Sequence, residues 1–160
     1  MSGAGRPEAT VPDAAGMTIG IVRTAWNAEL SEQLRGRALA VAESAGATVV
    51  EAQVAGAVEL PIVAQQLARQ TDAVVALGVV IRGETPHFDY VCDSVTAGLT
   101  RVALDESTPV AHGVLTVDTH AQAVDRDGHP GATEDKGGEA VAAALGAAVE
   151  LRRLRERSQR

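Results

Sequence analysis

Aromatic residues are almost missing from this chain: 160 residues include one tryptophan, one phenylalanine and one tyrosine, at Trp26, Phe88 and Tyr90. Alanine, valine and leucine must then fill the core, which suits helices packed closely on a sheet and excludes an aromatic-rich β-sandwich. Cysteine is equally scarce. The single Cys92 excludes an internal disulfide framework. No apolar run reaches the roughly 18 residues of a membrane span, and the opening MSGAGRPEATVPDAAG lacks the charged-then-apolar order of a signal peptide. Residues 1–16 are expected to form a flexible arm, 17–155 one domain and 156–160 a short tail, in a cytoplasmic protein. Positive charge is also in deficit. Lysine and arginine number 14 against 21 aspartates and glutamates, a net charge of −7, which excludes a broad basic face for nucleic acid. The arginines that bunch at Arg152, Arg153, Arg155, Arg157 and Arg160 suit a solvated helix end, where positive charge complements the dipole.

Apolar periodicity organises the rest of the chain. MTIGIVRT (17–24) is nearly continuous in apolar character, as a strand buried on both faces would be. A helix follows with Leu30, Leu34, Ala38 and Val41 at helical spacing, Asn27 as its N-cap and Gly46 as its stop. ATVVEAQV leads into Gly56 to Pro61 and a helix to about Arg69, with Pro61 in its first turn. DAVVALGVV is the most apolar run. Gly83-Glu84-Thr85-Pro86 then opens a helix carrying His87 to Leu99, with Thr85 as N-cap and Pro86 at the first helical position. PVAHGVLTV reads as a fourth strand, followed by a short helix near Ala121 to Arg126, a loop over 127–135 and a last helix from about Lys136 to Arg155. This alternation predicts an α/β three-layer sandwich, flavodoxin-like, with a four-stranded parallel sheet flanked by helices and right-handed crossovers. Ligands of such sheets bind beyond the carboxyl ends of the strands. Trp26, Gly56 to Glu59 and Gly83 to His87 all fall there.

GVVIRGET (78–85) has the glycine spacing of a nucleotide P-loop, but Glu84 stands where the phosphate-clamping lysine belongs, which excludes a nucleoside-triphosphatase. A simpler cradle survives, in which Gly83 and the free N–H groups at the start of the helix hold one phosphate; the plainer alternative is a turn that only reverses the chain. His87 beside it titrates close enough to neutrality to move protons, or is an exposed histidine without a task. A metal site from His87, Asp89 and Cys92 fails because residues two apart on a helix do not face each other. Trp26, at a strand mouth, suits stacking on a flat heterocycle better than core filling. Glu59 is either a helix-capping charge or an acceptor for a polyhydroxyl group.

ALGVVIRGETPHFDYVC, supported in order by GAVELP, HGVLT, AVDRDG and EDKGGEA, resembles the lumazine synthase family over about residues 17 to 155. The resemblance implies condensation of 5-amino-6-(D-ribitylamino)uracil with 3,4-dihydroxybutan-2-one 4-phosphate to 6,7-dimethyl-8-ribityllumazine, with loss of phosphate and water and no cofactor. On that likeness Trp26 stacks on the pyrimidine, Ala57, Val58 and Glu59 form the ribityl-binding turn, and Val79, Val80 and Ile81 line the pyrimidine pocket. Gly83, Glu84 and Thr85 cradle the phosphate with Arg126, His87 transfers protons with Phe88 packed nearby, and Lys136 lies near the same pocket. The family's assembly implies a homopentamer, some members building a 60-subunit shell, with each site between neighbouring subunits and His112, Arg126 and Lys136 dividing its walls. The loop DGHPGATED favours the isolated pentamer. His112 stands where the family commonly carries phenylalanine or asparagine, which leaves a lumazine- or riboflavin-binding paralogue, or an assembly protein, as alternatives on the same scaffold.

Overall fold

The computed structural model describes Gly5 and residues 10–159. Strands β1 (Thr18–Thr24), β2 (Thr48–Val54), β3 (Ala73–Ile81) and β4 (Val110–Val117) alternate with helices α1 (Ala28–Ser44), α2 (Leu60–Ala68), α3 (His87–Asp105), α4 (His120–Val124) and α5 (Lys136–Arg157). All strand pairs are parallel, in the order β2-β1-β3-β4. This is the predicted α/β sandwich, and the strand order reverses between β1 and β3.

The two inner strands carry the apolar runs because helices cover both their faces. Residues 73–79 of β3 are all buried, whereas edge strand β2 has no buried residue. One apolar cluster, including Ile19, Ile21, Leu34, Leu77 and Leu145, lies between the sheet and helices α1 and α5. A second, including Val22, Leu60, Val74, Val95 and Leu99, lies on the other face beneath α2 and α3. Helices α1 and α5 approach so closely that a Cβ on Gly137 would run into the Leu34 carbonyl.

Local signals explain most element ends. Helix α1 closes in a Schellman motif: Gly46 takes φ 75°, its N–H donates to Glu43 at 2.9 Å, and the Ala47 N–H donates to the Ala42 carbonyl at 3.0 Å. Helix α3 continues to Asp105, beyond the Leu99 expected from sequence, because Val102 keeps the same buried face. Its first residue is His87, one later than expected, with Pro86 already helical in φ and ψ and the His87 N–H donating to Thr85 Oγ1 at 3.4 Å. Helix α4 starts at His120, where Thr119 and Gln122 form a capping box. Asp135 caps α5, accepting from the Gly138 N–H at 3.0 Å, and its other carboxylate oxygen receives Arg37 at 2.8 and 2.9 Å.

Half of the expected N-terminal arm, residues 1–4 and 6–9, lies outside the described residues, as does Arg160 of the tail. Nearer the domain, Ala14 is buried and its N–H donates to the Ala45 carbonyl at 2.8 Å. No helix among the described residues is long and apolar enough to cross a membrane.

Candidate functional site

Three strand ends converge on one cavity of about 540 Å³, within the usual range for small-molecule sites. The β1–α1 turn contributes its first wall. Thr24 is buried, its carbonyl accepts from Ser31 Oγ at 2.6 Å, and its own hydroxyl donates to the Trp26 carbonyl at 3.4 Å. The Ala25 N–H donates to Val54 at 2.8 Å and the Trp26 N–H to Ala55 at 3.3 Å, which ties the turn to the end of β2. The backbone is thus held from both sides while the indole projects outward, 72% exposed, over the cavity.

Asn27 completes this turn in an unexpected way. It precedes α1 as predicted, but its φ of 52° places it in the left-handed region, and its side chain makes no capping bond. Asparagine tolerates that conformation better than most residues. Its amide instead donates to the Val79 carbonyl of β3 at 3.0 Å, so Asn27 also lines the cavity.

After β2, a 3-10 turn over Ala57–Glu59 brings all three predicted residues to the cavity. Glu59 holds the turn through one carboxylate oxygen, which accepts from the Gly56 N–H at 2.8 Å. Glu59 thus caps the turn and also lines the cavity. Val79, Val80 and Ile81 line the floor, and Gly83, Thr85, His87 and Phe88 line the side formed by the start of α3. A Cβ on Gly83 would meet no protein atom, so the glycine leaves open space beside the helix N-terminus, where backbone N–H groups favour an anion.

Arg82 fixes this last side, a role that the sequence pattern did not reveal. Its guanidinium lies 4.2 Å from the centre of the Phe88 ring. It also donates to Asp118 at 2.8 Å and to Asp89 at 3.2 Å. The end of β3, the first turn of α3 and the end of β4 are thereby tied together at one side chain. The carboxylate partners, Asp118 first, hold the Arg82 pKa above its ordinary value.

Four expected site residues do not line the cavity. Glu84 is exposed in the turn before α3. His112, on edge strand β4, pairs with Thr96 of α3, its Nε2 lying 3.0 Å from the threonine hydroxyl. Arg126 and Lys136 sit together in a separate cluster: the Lys136 N–H donates to the Arg126 carbonyl at 3.1 Å, and Arg126 Nη1 donates to the Gln122 carbonyl at 2.8 Å. The Lys136 ammonium pairs with Glu134 and, at 3.1 Å, with Glu139. Among the described residues no group of three or more His, Cys, Asp or Glu is placed to hold a metal ion. A smaller hollow of about 280 Å³ beside α5 includes Asp72, Arg152 and Arg155, but it opens near the amino end of β3, opposite the end where α/β sheets bind ligands.

Comparison with known proteins converges on one description. The family model for 6,7-dimethyl-8-ribityllumazine synthase matches residues 16–152. A protein of that name from Thermobifida fusca (strain YX) is 63% identical over 164 residues, covering 100% of this chain and 95% of the relative. Another from Saccharopolyspora erythraea is 61% identical over 97% of this chain and 94% of the relative. A third, from Corynebacterium efficiens, is 57% identical over 97% and 98%.

Proposed function

The chain belongs to the 6,7-dimethyl-8-ribityllumazine synthase family and catalyses the penultimate step of riboflavin biosynthesis, and from that premise we propose how its side chains divide the work. The observation that carries the proposal is the shared cavity, with one exposed indole on one side and the start of α3, bearing His87, on the other. Trp26 stacks on the pyrimidine of 5-amino-6-(D-ribitylamino)uracil. Val79, Val80 and Ile81 receive the ring's apolar contact, and the Ala57–Glu59 turn takes the ribityl chain, with Glu59 accepting from its hydroxyls.

The phosphate of 3,4-dihydroxybutan-2-one 4-phosphate belongs at the Gly83–Thr85 turn, where the α3 dipole and free N–H groups favour negative charge. The uracil's amine then attacks the ketone and loses water to form an imine. Phosphate leaves, and the new carbonyl closes on the ribityl-bearing nitrogen with loss of a second water. His87, on the same side of the cavity as the cradle, moves the protons these steps require. Holding two substrates in reacting geometry supplies on the order of 7–11 kcal/mol at best, against about 100- to 10,000-fold for one acid/base group. Positioning therefore contributes more to the rate than proton transfer does.

The positions of Arg126, Lys136 and His112 support a site completed by a second subunit. None lines this chain's cavity, while Trp26 and Val58, which do, leave apolar surface exposed. In a homopentamer one chain's cavity meets its neighbour's β4 side, which brings Arg126 to the phosphate, Lys136 to the pocket and His112 to the heterocycle. The test is direct. Mixing the two substrates with the purified protein produces the lumazine absorbance, and Trp26→Ala and Arg126→Ala raise the KM for the uracil and for the phosphate substrate respectively. Unchanged KM values in both variants would overturn the assignment while leaving the family activity intact.

A further inference from the structure

We propose that Thr96 is a positioning residue, fixing the His112 imidazole as a flat wall against the heterocycle bound in a neighbouring subunit. The inference rests on the reading that His112 faces a neighbour's cavity. The geometry behind it is specific. Thr96 lies on α3 and His112 on edge strand β4, and both are exposed at the same border of the isolated chain. The threonine hydroxyl meets His112 Nε2 at 3.0 Å.

A histidine on an exposed edge strand ordinarily samples several rotamers. A hydroxyl bonded to Nε2 restricts the ring to one rotamer and one plane. It matches the ring in either neutral tautomer, donating to a bare nitrogen or accepting from a protonated one. Protein packed against the inner side of the ring removes solvent and lowers its pKa below the ordinary histidine value, which favours the uncharged imidazole. A fixed, neutral, planar ring offers a heterocycle the surface a phenylalanine would offer. A phenylalanine there would depend on packing for its orientation; here a single hydroxyl sixteen residues away supplies it.

Initial-rate kinetics on the assembled enzyme test this. Thr96→Val is expected to raise the KM for ribitylaminouracil about fivefold, the scale of one lost hydrogen bond, with kcat and the KM for the phosphate substrate changing less than about twofold. Thr96→Ser, which keeps the hydroxyl, is expected to restore the wild-type KM. In a His112→Phe background Thr96→Val should have no further effect, because the ring it orients is gone. An effect that persists in that background, or a Thr96→Val KM equal to wild type while His112→Ala raises it, would overturn the role of Thr96. If His112→Ala itself leaves the KM for ribitylaminouracil unchanged, the wall assignment fails instead. Should Thr96→Val not assemble, Thr96→Ala carries the same comparison.

Discussion

Asn27 and Val79, 52 residues apart, are joined by a hydrogen bond of 3.0 Å from the asparagine amide to the strand carbonyl. This bond ties the turn that presents Trp26 to the floor of the cavity. Asn27→Ala removes the donor and leaves a methyl-bearing residue at φ 52°. The loss of the bond costs about 1–3 kcal/mol, and the left-handed backbone adds roughly 1 kcal/mol. Asn27→Gly loses the bond but not the backbone fit, so urea denaturation should rank wild type above Asn27→Gly and Asn27→Gly above Asn27→Ala.

His87→Ala should retain slow turnover. Removal of one proton-transfer group lowers kcat by about 100- to 10,000-fold, while the cavity continues to hold both substrates together. Single-turnover formation of the lumazine measures the remainder. Complete loss in a correctly folded variant would show that His87 does more than shuttle protons.

The proposed sharing of the site between subunits predicts complementation between damaged chains. Neither His87→Ala nor Arg126→Ala alone leaves an intact site. In oligomers assembled from equal amounts of both, about a quarter of the interfaces pair an intact cavity with an intact wall. Activity should therefore rise when the two are unfolded, mixed and refolded together, and not when preformed oligomers are merely combined.

Two glycines of α5 should respond oppositely to the same substitution. A Cβ at Gly137 meets the Leu34 carbonyl, whereas one at Gly146 meets nothing within 4 Å. Gly137→Ala is expected to cost about 1–3 kcal/mol through overpacking. Gly146→Ala is expected to stabilise by roughly 0.5–1 kcal/mol through helix propensity. Thermal denaturation of the two variants checks both signs.

His112 should titrate below the ordinary histidine value of 6.5, because desolvation favours its neutral form. Between that ordinary value and the lower folded value the unfolded chain binds more protons, so stability rises with pH. The contribution is present above pH 6.5 and is lost as pH falls through the folded value. NMR titration of the ring gives the midpoint, and His112→Phe should remove this part of the acid sensitivity.

The sequence exposes some parts of the site and conceals others for physical reasons. Trp26 stands out because aromatic residues are scarce, and the Gly83 turn and His87 because glycine, threonine and proline punctuate a strand-to-helix junction. The four strands are legible in their apolar runs, including the burial of β3. Arg82 is not legible, since its role depends on Asp118, 36 residues away, and on a ring across the turn. Asn27 misleads for a related reason. Its type fits an N-cap, but only the fold places the Val79 carbonyl within reach of its amide. The end of α3 lies beyond Leu99 because Val102 extends the buried face by another turn.

Trp26 has a further consequence. It is the only indole in the chain, stands largely in water and borders the cavity. All tryptophan emission therefore originates at the binding pocket, with no second emitter in the core to dilute it. Its wavelength and intensity form a built-in optical gauge of occupancy: red-shifted when the pocket holds water and altered when a heterocycle covers the ring. Ligand association can thus be timed in the unmodified enzyme, without a label and before any product forms.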